Sequence, residues 1–364
     1  MLKQEVSHVQ RVKFEEKELT KVGENGTAPI FDTPITPAEN FLAVFAGKNP
    51  LWMPMTTDTR NFTPRIDIDN VARGFVFDGE EKIAPENFGG PDMFGTEWVF
   101  VPVAGGSMVK PGSPRMEDAN DWKDIITMPD PSVWDWEKSA KANEEYLSGG
   151  LLNSMTFLNG FMYERLISFM DFEGAAISII DEEQMDAVKE LCNTMLDKVY
   201  IPYLEHVKKY FPQVQMICLH DDWGSQRAPF FSIATAREMF VPIMKRFAEK
   251  CKELGFVFQL HSCGKNELVF PAYMEGGVQM WNGMYMNDKK ALFEQYGQNF
   301  VFGVDPPDVA KDMEASHEAL EAAAKEFCEF FIRDGKCHAV ANTMRVNPYF
   351  VECVYKISRQ MLNS

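Results

Sequence analysis

Short apolar runs bounded by turn residues recur along this chain, and in its second half they alternate with longer stretches of helical spacing. The runs that read as strands are Leu51 to Thr57, Glu97 to Val103, Leu151 to Leu158, Val214 to Asp221, Phe256 to His261, Val278 to Gly283, Phe300 to Val304 and Cys337 to Asn342. Helical spacing covers Asp181 to Tyr210, Ala234 to Leu254, Asp288 to Tyr296 and His317 to Asp334. From Val214 onward the rhythm is strand, helix, strand, helix, which calls for parallel strands with crossover connections. Eight such strands predict an α/β fold of the closed (β/α)8 TIM-barrel type. An open doubly wound sheet competes, but no GxGxxG follows the first strand.

Two regions depart from the rhythm. Residues 1–35 are polar and weakly patterned and read as an N-terminal arm with room for one helix. The arm gives way at Thr36, where Thr36-Pro37-Ala38-Glu39 has the form of an N-cap, a proline in the first turn and a capping-box glutamate. That helix should end near Gly47 to Pro50. Between Asp58 and Asp130 the chain is rich in Gly, Pro, Asp and aromatic residues, as expected of long loop insertions after the first two strands. Within them Ala104-Gly105-Gly106-Ser107-Met108 reads as a flexible loop, or as backbone that can approach a ligand closely. Residues 36–364 are then one barrel domain.

Composition narrows the function. The chain has 364 residues, 45% hydrophobic and 25% charged, ordinary for a globular protein with a sizeable core. Its formal net charge of −18 disfavours nucleic acid and anionic membrane surfaces as partners. No apolar run reaches the ~20 residues that span a bilayer, and Met1 to Lys21 lacks a signal-peptide core. Seven scattered cysteines form no disulfide framework, so a reducing cytoplasm is the expected location. Five of them (Cys192, Cys218, Cys251, Cys328 and Cys353) lie in apolar or amphipathic runs and read as core.

The chemistry-bearing residues gather at strand exits. His261-Ser262-Cys263-Gly264 follows Phe256-Val257-Phe258-Gln259-Leu260, so a His and a Cys two residues apart can face the same side of a strand end. Thiolate and imidazole together favour zinc over magnesium or calcium, and a catalytic zinc needs three protein ligands. Cys337 and His338 open the last strand, ~20 Å from its far end; Asn342 and Thr343 at that far end are poor zinc ligands. Asp222, Asp221 or His220 in His220-Asp221-Asp222-Trp223-Gly224 can complete the shell, while Asp221-Asp222 reads equally well as a helix-cap or turn pair. Gln226 and Arg227 can orient a polar substrate group, or form a surface turn, and Trp223 offers a stacking face. Asn282 and Asp305 also sit at strand exits, as substrate-binding or turn residues. Of Tyr163, Glu164 and Arg165, one faces the mouth and the others cap a helix.

Leu219-His220-Asp221-Asp222-Trp223-Gly224-Ser225-Gln226-Arg227 followed by His261-Ser262-Cys263-Gly264 resembles the uroporphyrinogen decarboxylase superfamily, as does the opening from Thr36 to Pro50. The resemblance runs from about residue 36 to 360 and implies a (β/α)8 barrel. The decarboxylase's Arg-Gln-Ala-Gly-Arg stretch is absent, its place taken by Met55-Thr56-Thr57-Asp58-Thr59-Arg60-Asn61. Methyltransferase relatives hold zinc with His-x-Cys and a later Cys; His261 and Cys263 match the first part, but the later Cys would fall near Asn342 or Thr343. The Asp-Asp-Trp-Gly form resembles subfamilies linked to O-demethylation in anaerobic metabolism.

The resemblance therefore implies a methyltransferase that moves a methyl group between a methylated small molecule, a methoxylated aromatic among the candidates, and a corrinoid carried by a partner protein. Zinc would be held by Asp222, His261 and Cys263, the residues that also carry catalysis. Trp223, Trp281, Trp98 and Phe94 then line an aromatic mouth, or else pack the barrel. Two alternatives stand: a decarboxylase, with Arg60, Arg65 and Arg73 as its candidate carboxylate-binding groups, and a metal-free binding subunit of a methyl-transfer complex.

Overall fold

Strands Val214–His220 and Val257–Ser262 are buried at most positions on both faces, as expected of a parallel sheet covered by helices. The computed structural model describes residues 16–21, 27–31, 33–103, 105–112 and 114–363. They form two compact units, one running from Thr59 to Val304, the other made of residues up to Asp58 together with those from Asp305 onward.

The Thr59–Val304 unit carries six parallel strands that neighbour one another in chain order: Thr59–Phe62, Leu152–Phe157, Val214–His220, Val257–Ser262, Met280–Gly283 and Val301–Val304. Helices return the chain between them: Tyr163–Ser178, Met185–Met195 and Ile201–Tyr210, then Ile233–Met239 and Val241–Leu254, then Phe270–Glu275, then Lys289–Tyr296. This is the α/β, TIM-barrel-like arrangement that the alternating pattern predicts. Register matters most for the site: His220 pairs with His261, and His261 with Asn282, so three polar residues stand side by side where three neighbouring strands end.

The insertion corrects one expectation. Glu97–Val101 is no barrel strand; it lies between Gly89–Pro91 and Gly106–Val109 in an antiparallel sheet. Trp98 is buried while Glu97 and Val99 are exposed, the one-sided burial of a sheet that covers rather than forms a barrel core. The glycine pair belongs to a hairpin here, with Val101 opposite Gly106; Ala104 lies outside the described residues. Helix Ile68–Arg73 packs beside this sheet, and buried Arg165 pairs with Asp69 and, at 2.8 Å, with Asp92.

In the other unit the capping box is present: Glu39 N–H donates to Thr36 Oγ1 (3.2 Å), Thr36 N–H to Glu39 Oε2 (2.8 Å), and helix Pro37–Phe45 follows. Met55 makes an isolated parallel bridge to Ala341 of strand Ala339–Ala341, where a longer strand over Leu51 to Thr57 was expected. Cys337 belongs to a separate antiparallel pair with Ile332–Arg333 rather than opening that last strand. Helices His317–Phe331 and Pro348–Leu362 complete the unit. Where the arm had room for a helix, its described residues Glu16–Lys21 and Thr27–Phe31 pair as antiparallel strands. Among the described residues no helix is long and apolar enough to cross a membrane.

Candidate metal centre

Four side chains at the exits of two adjacent strands converge: His220, Asp222, His261 and Cys263 each offer a ligand atom, all within 4.8 Å of one another. The local sequence explains the convergence. His220 and His261 end paired strands at the same register, and both strands then turn sharply into loops that lie against each other. Asp221 N–H donates to the His261 carbonyl (3.1 Å), Trp223 N–H to Ser262 Oγ (3.0 Å) and Lys265 N–H to the Ser225 carbonyl (2.7 Å). The Cys263 N–H donates to Asp222 Oδ1 at 2.6 Å, which ties the carboxylate of one loop to the thiol-bearing residue of the other.

Both imidazoles are held from behind. His261 Nδ1–H donates to the Asn282 carbonyl (2.8 Å), leaving Nε2 as the free lone pair, 3.4 Å from Cys263 Sγ. His220 Nδ1–H donates to Glu164 Oε2 (2.7 Å), and its Nε2 lies 3.9 Å from Asp222 Oδ1. Glu164 is paired on its other oxygen with Arg73, which also reaches Asn159 Oδ1. An imidazole whose remote nitrogen is fixed by a carboxylate or carbonyl is the usual form of a metal-ligating histidine.

Electrostatics separates the two rings. Burial works against a charged His220, yet Glu164 and then Asp222 and Cys263 outweigh it and hold its pKa well above the ordinary value. Burial and the adjacent His220 charge push His261 down to about 3, so it is the neutral imidazole of the pair. Burial raises Asp222 and Cys263, with Glu164 adding to the effect at Asp222. For Glu164 burial is overcome by Arg73 and His220, and the carboxylate stays ionised well below its usual range.

The donor set fits zinc. Two imidazoles, a thiol and a carboxylate are borderline-soft ligands, and donor atoms on tetrahedral zinc lie about 3.3–3.7 Å apart; the His261–Cys263 spacing of 3.4 Å is in that range and the His220–Asp222 spacing of 3.9 Å lies just above it. Asp222, His261 and Cys263 were expected as ligands from the sequence, and the fold gathers them. His220, offered by the sequence as an alternative to Asp222 for the third place, joins them as a fourth donor. Among the described residues no other such cluster occurs.

The remaining expected residues are placed as follows. Asp221 is fully buried and accepts from the N–H groups of Tyr163 (3.2 Å) and Glu164 (2.9 Å) and from the Trp223 indole, the helix-cap alternative. Trp223 packs against Phe231, Phe240 and Tyr273 and exposes nothing for stacking. Trp281, Trp98 and Phe94 are buried too, so all four aromatic residues take the packing alternative. Gln226 and Arg227 are exposed in the turn between Ser225 and Ala228. Asn282 meets the site through its carbonyl. Asp305 belongs to the other unit, where Asn342 donates to it (3.1 Å) and Thr343 bonds with Thr56 and Thr57. Of the three residues after the Leu152–Phe157 strand, Glu164 faces the site and Arg165 is buried with Asp69 and Asp92. Sequence reasoning missed the Glu164–Arg73–Asn159 grouping, because contacts across 86 and 91 positions leave no local signal.

No family model and no curated protein sequence matches the chain. Among solved structures, a methyltransferase from Methanosarcina mazei is similar in fold, with a TM-score of 0.58 at 13% identity over 91% of this chain and 100% of that one. More remote are a Group IV chitinase from Ostrinia furnacalis (TM-score 0.35, 9% identity, 67% of this chain and 88% of that one) and a 3-keto-D-glucoside 4-epimerase from E. coli (0.30, 10%, 57% and 76%).

Proposed function

We propose that this chain is a methyltransferase of the uroporphyrinogen decarboxylase superfamily, transferring a methyl group between a methylated small molecule and a corrinoid borne by a partner protein. Convergence of His220, Asp222, His261 and Cys263 at one end of a parallel barrel-type sheet carries the reading. The fold shared with the Methanosarcina mazei methyltransferase supports it.

A methyl ether is inert because alkoxide or phenolate leaves poorly, and bound zinc would supply Lewis acidity to the heteroatom from which the methyl departs. The protein's own side chains prepare that chemistry. Glu164 and the Asn282 carbonyl fix the two imidazoles with Nε2 inward, and Cys263 N–H holds one oxygen of Asp222. Asp222 is more exposed than its neighbour His220 (27% against 14%), so its side of the cluster is open to an incoming substrate atom. Burial of Trp223, Trp281, Trp98 and Phe94 removes the argument for an aromatic ring in particular, so the proposed methyl donor is a methylated small molecule without that restriction.

The decarboxylase alternative needs arginines free to bind several carboxylates. Arg65 is instead bound to Asp78 (2.8 Å), Arg73 to Glu164, and Arg60 to the Ser148 carbonyl. Metal analysis of protein purified without chelator should give about one zinc per chain, absent from Cys263→Ala. Incubated with free cob(I)alamin and a panel of methoxylated and S-methylated compounds, the wild type should convert the cob(I)alamin spectrum to that of methylcobalamin. A metal-free native protein that leaves that spectrum unchanged overturns the reading.

A further inference from the structure

We infer that Glu164 and Arg73 are a positioning pair for the metal centre: together they hold the His220 imidazole in the tautomer and orientation that aim Nε2 at the other three donors. The inference rests on the zinc reading and deepens it, since it accounts for how a histidine takes a ligand place that the sequence pattern left open.

The geometry is specific. The Glu164 side chain is 10% exposed and uses both oxygens, Oε1 on Arg73 and Oε2 on His220 Nδ1. Its own N–H is bound to Asp221 Oδ1, so the residue is fixed at backbone and side chain alike. Arg73 is fixed in turn. Asn159 accepts from it, and the guanidinium lies over the Trp98 ring, 4.8 Å from the centroid. Asn159 has a left-handed backbone (φ 60°), and the following Gly160 leaves only 3.1 Å between a would-be Cβ and the His220 carbonyl. That tight turn is what presents Asn159 to Arg73.

Arg73 anchors the opposite oxygen of Glu164, so the carboxylate cannot turn away and its Oε2 stays on His220 Nδ1. His261 is oriented by a neutral carbonyl, so the two rings are unequal donors, His220 the more basic once metal replaces its Nε2 proton. An ion pair that only pinned a helix would have no need to spend its second oxygen on an imidazole.

Cobalt(II) is the probe. Wild-type protein loaded with Co(II) should show the visible bands of a four-coordinate site with a thiolate charge-transfer band. Glu164→Gln should keep the thiolate band, alter the ligand-field bands and bind Co(II) and zinc 10- to 100-fold more weakly. His220→Gln should lose affinity similarly, and the double variant should lose little more than either single one. A Glu164→Gln protein with wild-type spectrum and affinity overturns the inference while leaving the zinc reading intact; a wild type that binds neither metal removes both. The test survives a Glu164→Gln protein that fails to fold, because 15N NMR of ring-labelled histidines in the zinc-loaded wild type reads the same point. His220 should carry its proton on Nδ1 and metal on Nε2, and a His220 Nε2 that stays protonated when zinc is added overturns the inference.

Discussion

At the scale of single residues, the two loops of the site meet backbone against backbone at Gly264 and Gly224. A Cβ at Gly264, whose φ is +91°, would sit 2.1 Å from the Gly224 carbonyl oxygen. Only glycine lets the two ligand-bearing loops touch. Gly264→Ala should therefore destabilise the fold by at least ~2 kcal/mol, and on the proposed zinc reading it should weaken metal binding by displacing Cys263. Urea midpoints and a zinc titration check both effects. Asp67 gives a pH-dependent counterpart. It caps helix Ile68–Arg73 and accepts from the Tyr203 hydroxyl (2.8 Å); burial, and then the Asp69 charge, raise its pKa to about 8. Because the folded value lies above the ordinary ~4 of an unfolded aspartate, the native state holds the extra proton between those limits. The group's contribution is complete below pH ~4 and is lost as pH rises toward 8. Asp67→Asn, which cannot ionise, should gain on the wild type in urea midpoint between pH 5 and pH 9; a difference that stays constant with pH refutes the assignment. All four donors were legible in the sequence as candidates, because each lies one or three residues past a strongly apolar run ending at Leu219 or Leu260. The pairing of Glu164 with Arg73 behind His220 was not, since it depends on which loop a strand order sets beside which.

At the scale of elements, legibility follows hydrophobicity rather than position in the barrel. Strands such as Leu152–Phe157 and Val214–His220 are buried along nearly their whole length, and the sequence reads them directly. Thr59–Phe62 pairs in parallel with Leu152–Phe157, yet its only apolar residue is Phe62, so its sequence looks like a loop. Glu97–Val101 has the richer apolar run and belongs to the inserted antiparallel sheet. That insertion is held by charge as well as apolar contact. Arg165, fully buried, bridges Asp69 of one inserted helix and Asp92 of the loop before Trp98, with both carboxylates equally inaccessible. Removing the cation leaves two buried anions, and Arg165→Met should cost ~3–5 kcal/mol. Adding Asp69→Asn and Asp92→Asn should recover a large part of that loss. A single variant as stable as the wild type in urea denaturation would mean the triad contributes packing alone.

At the scale of the whole molecule, 54 acidic residues against 36 basic ones leave a net charge of −18, and the chain repels itself. The ion pairs that offset this repulsion are mostly exposed: Arg237–Glu275 (2.7 Å), Arg246–Asp197, Lys189–Glu238 (3.0 Å) and Lys123–Glu190 (2.7 Å) each have both partners well exposed or nearly so. Such pairs are worth ~0–1 kcal/mol apiece and are screened by salt just as the repulsion is. The two effects have different reach. Ion pairs act at about 3 Å, inside any Debye length used in practice, whereas the surplus acidic charges act across tens of ångströms, which salt removes first: the screening length falls from ~30 Å at 0.01 M to ~8 Å at 0.15 M. Repulsion therefore weakens more than attraction over that interval. The urea midpoint should rise between 0.01 M and 0.15 M NaCl. A fall would mean that the exposed pairs act as a cooperative network and that net charge, the most conspicuous compositional feature of the sequence, is not what limits stability.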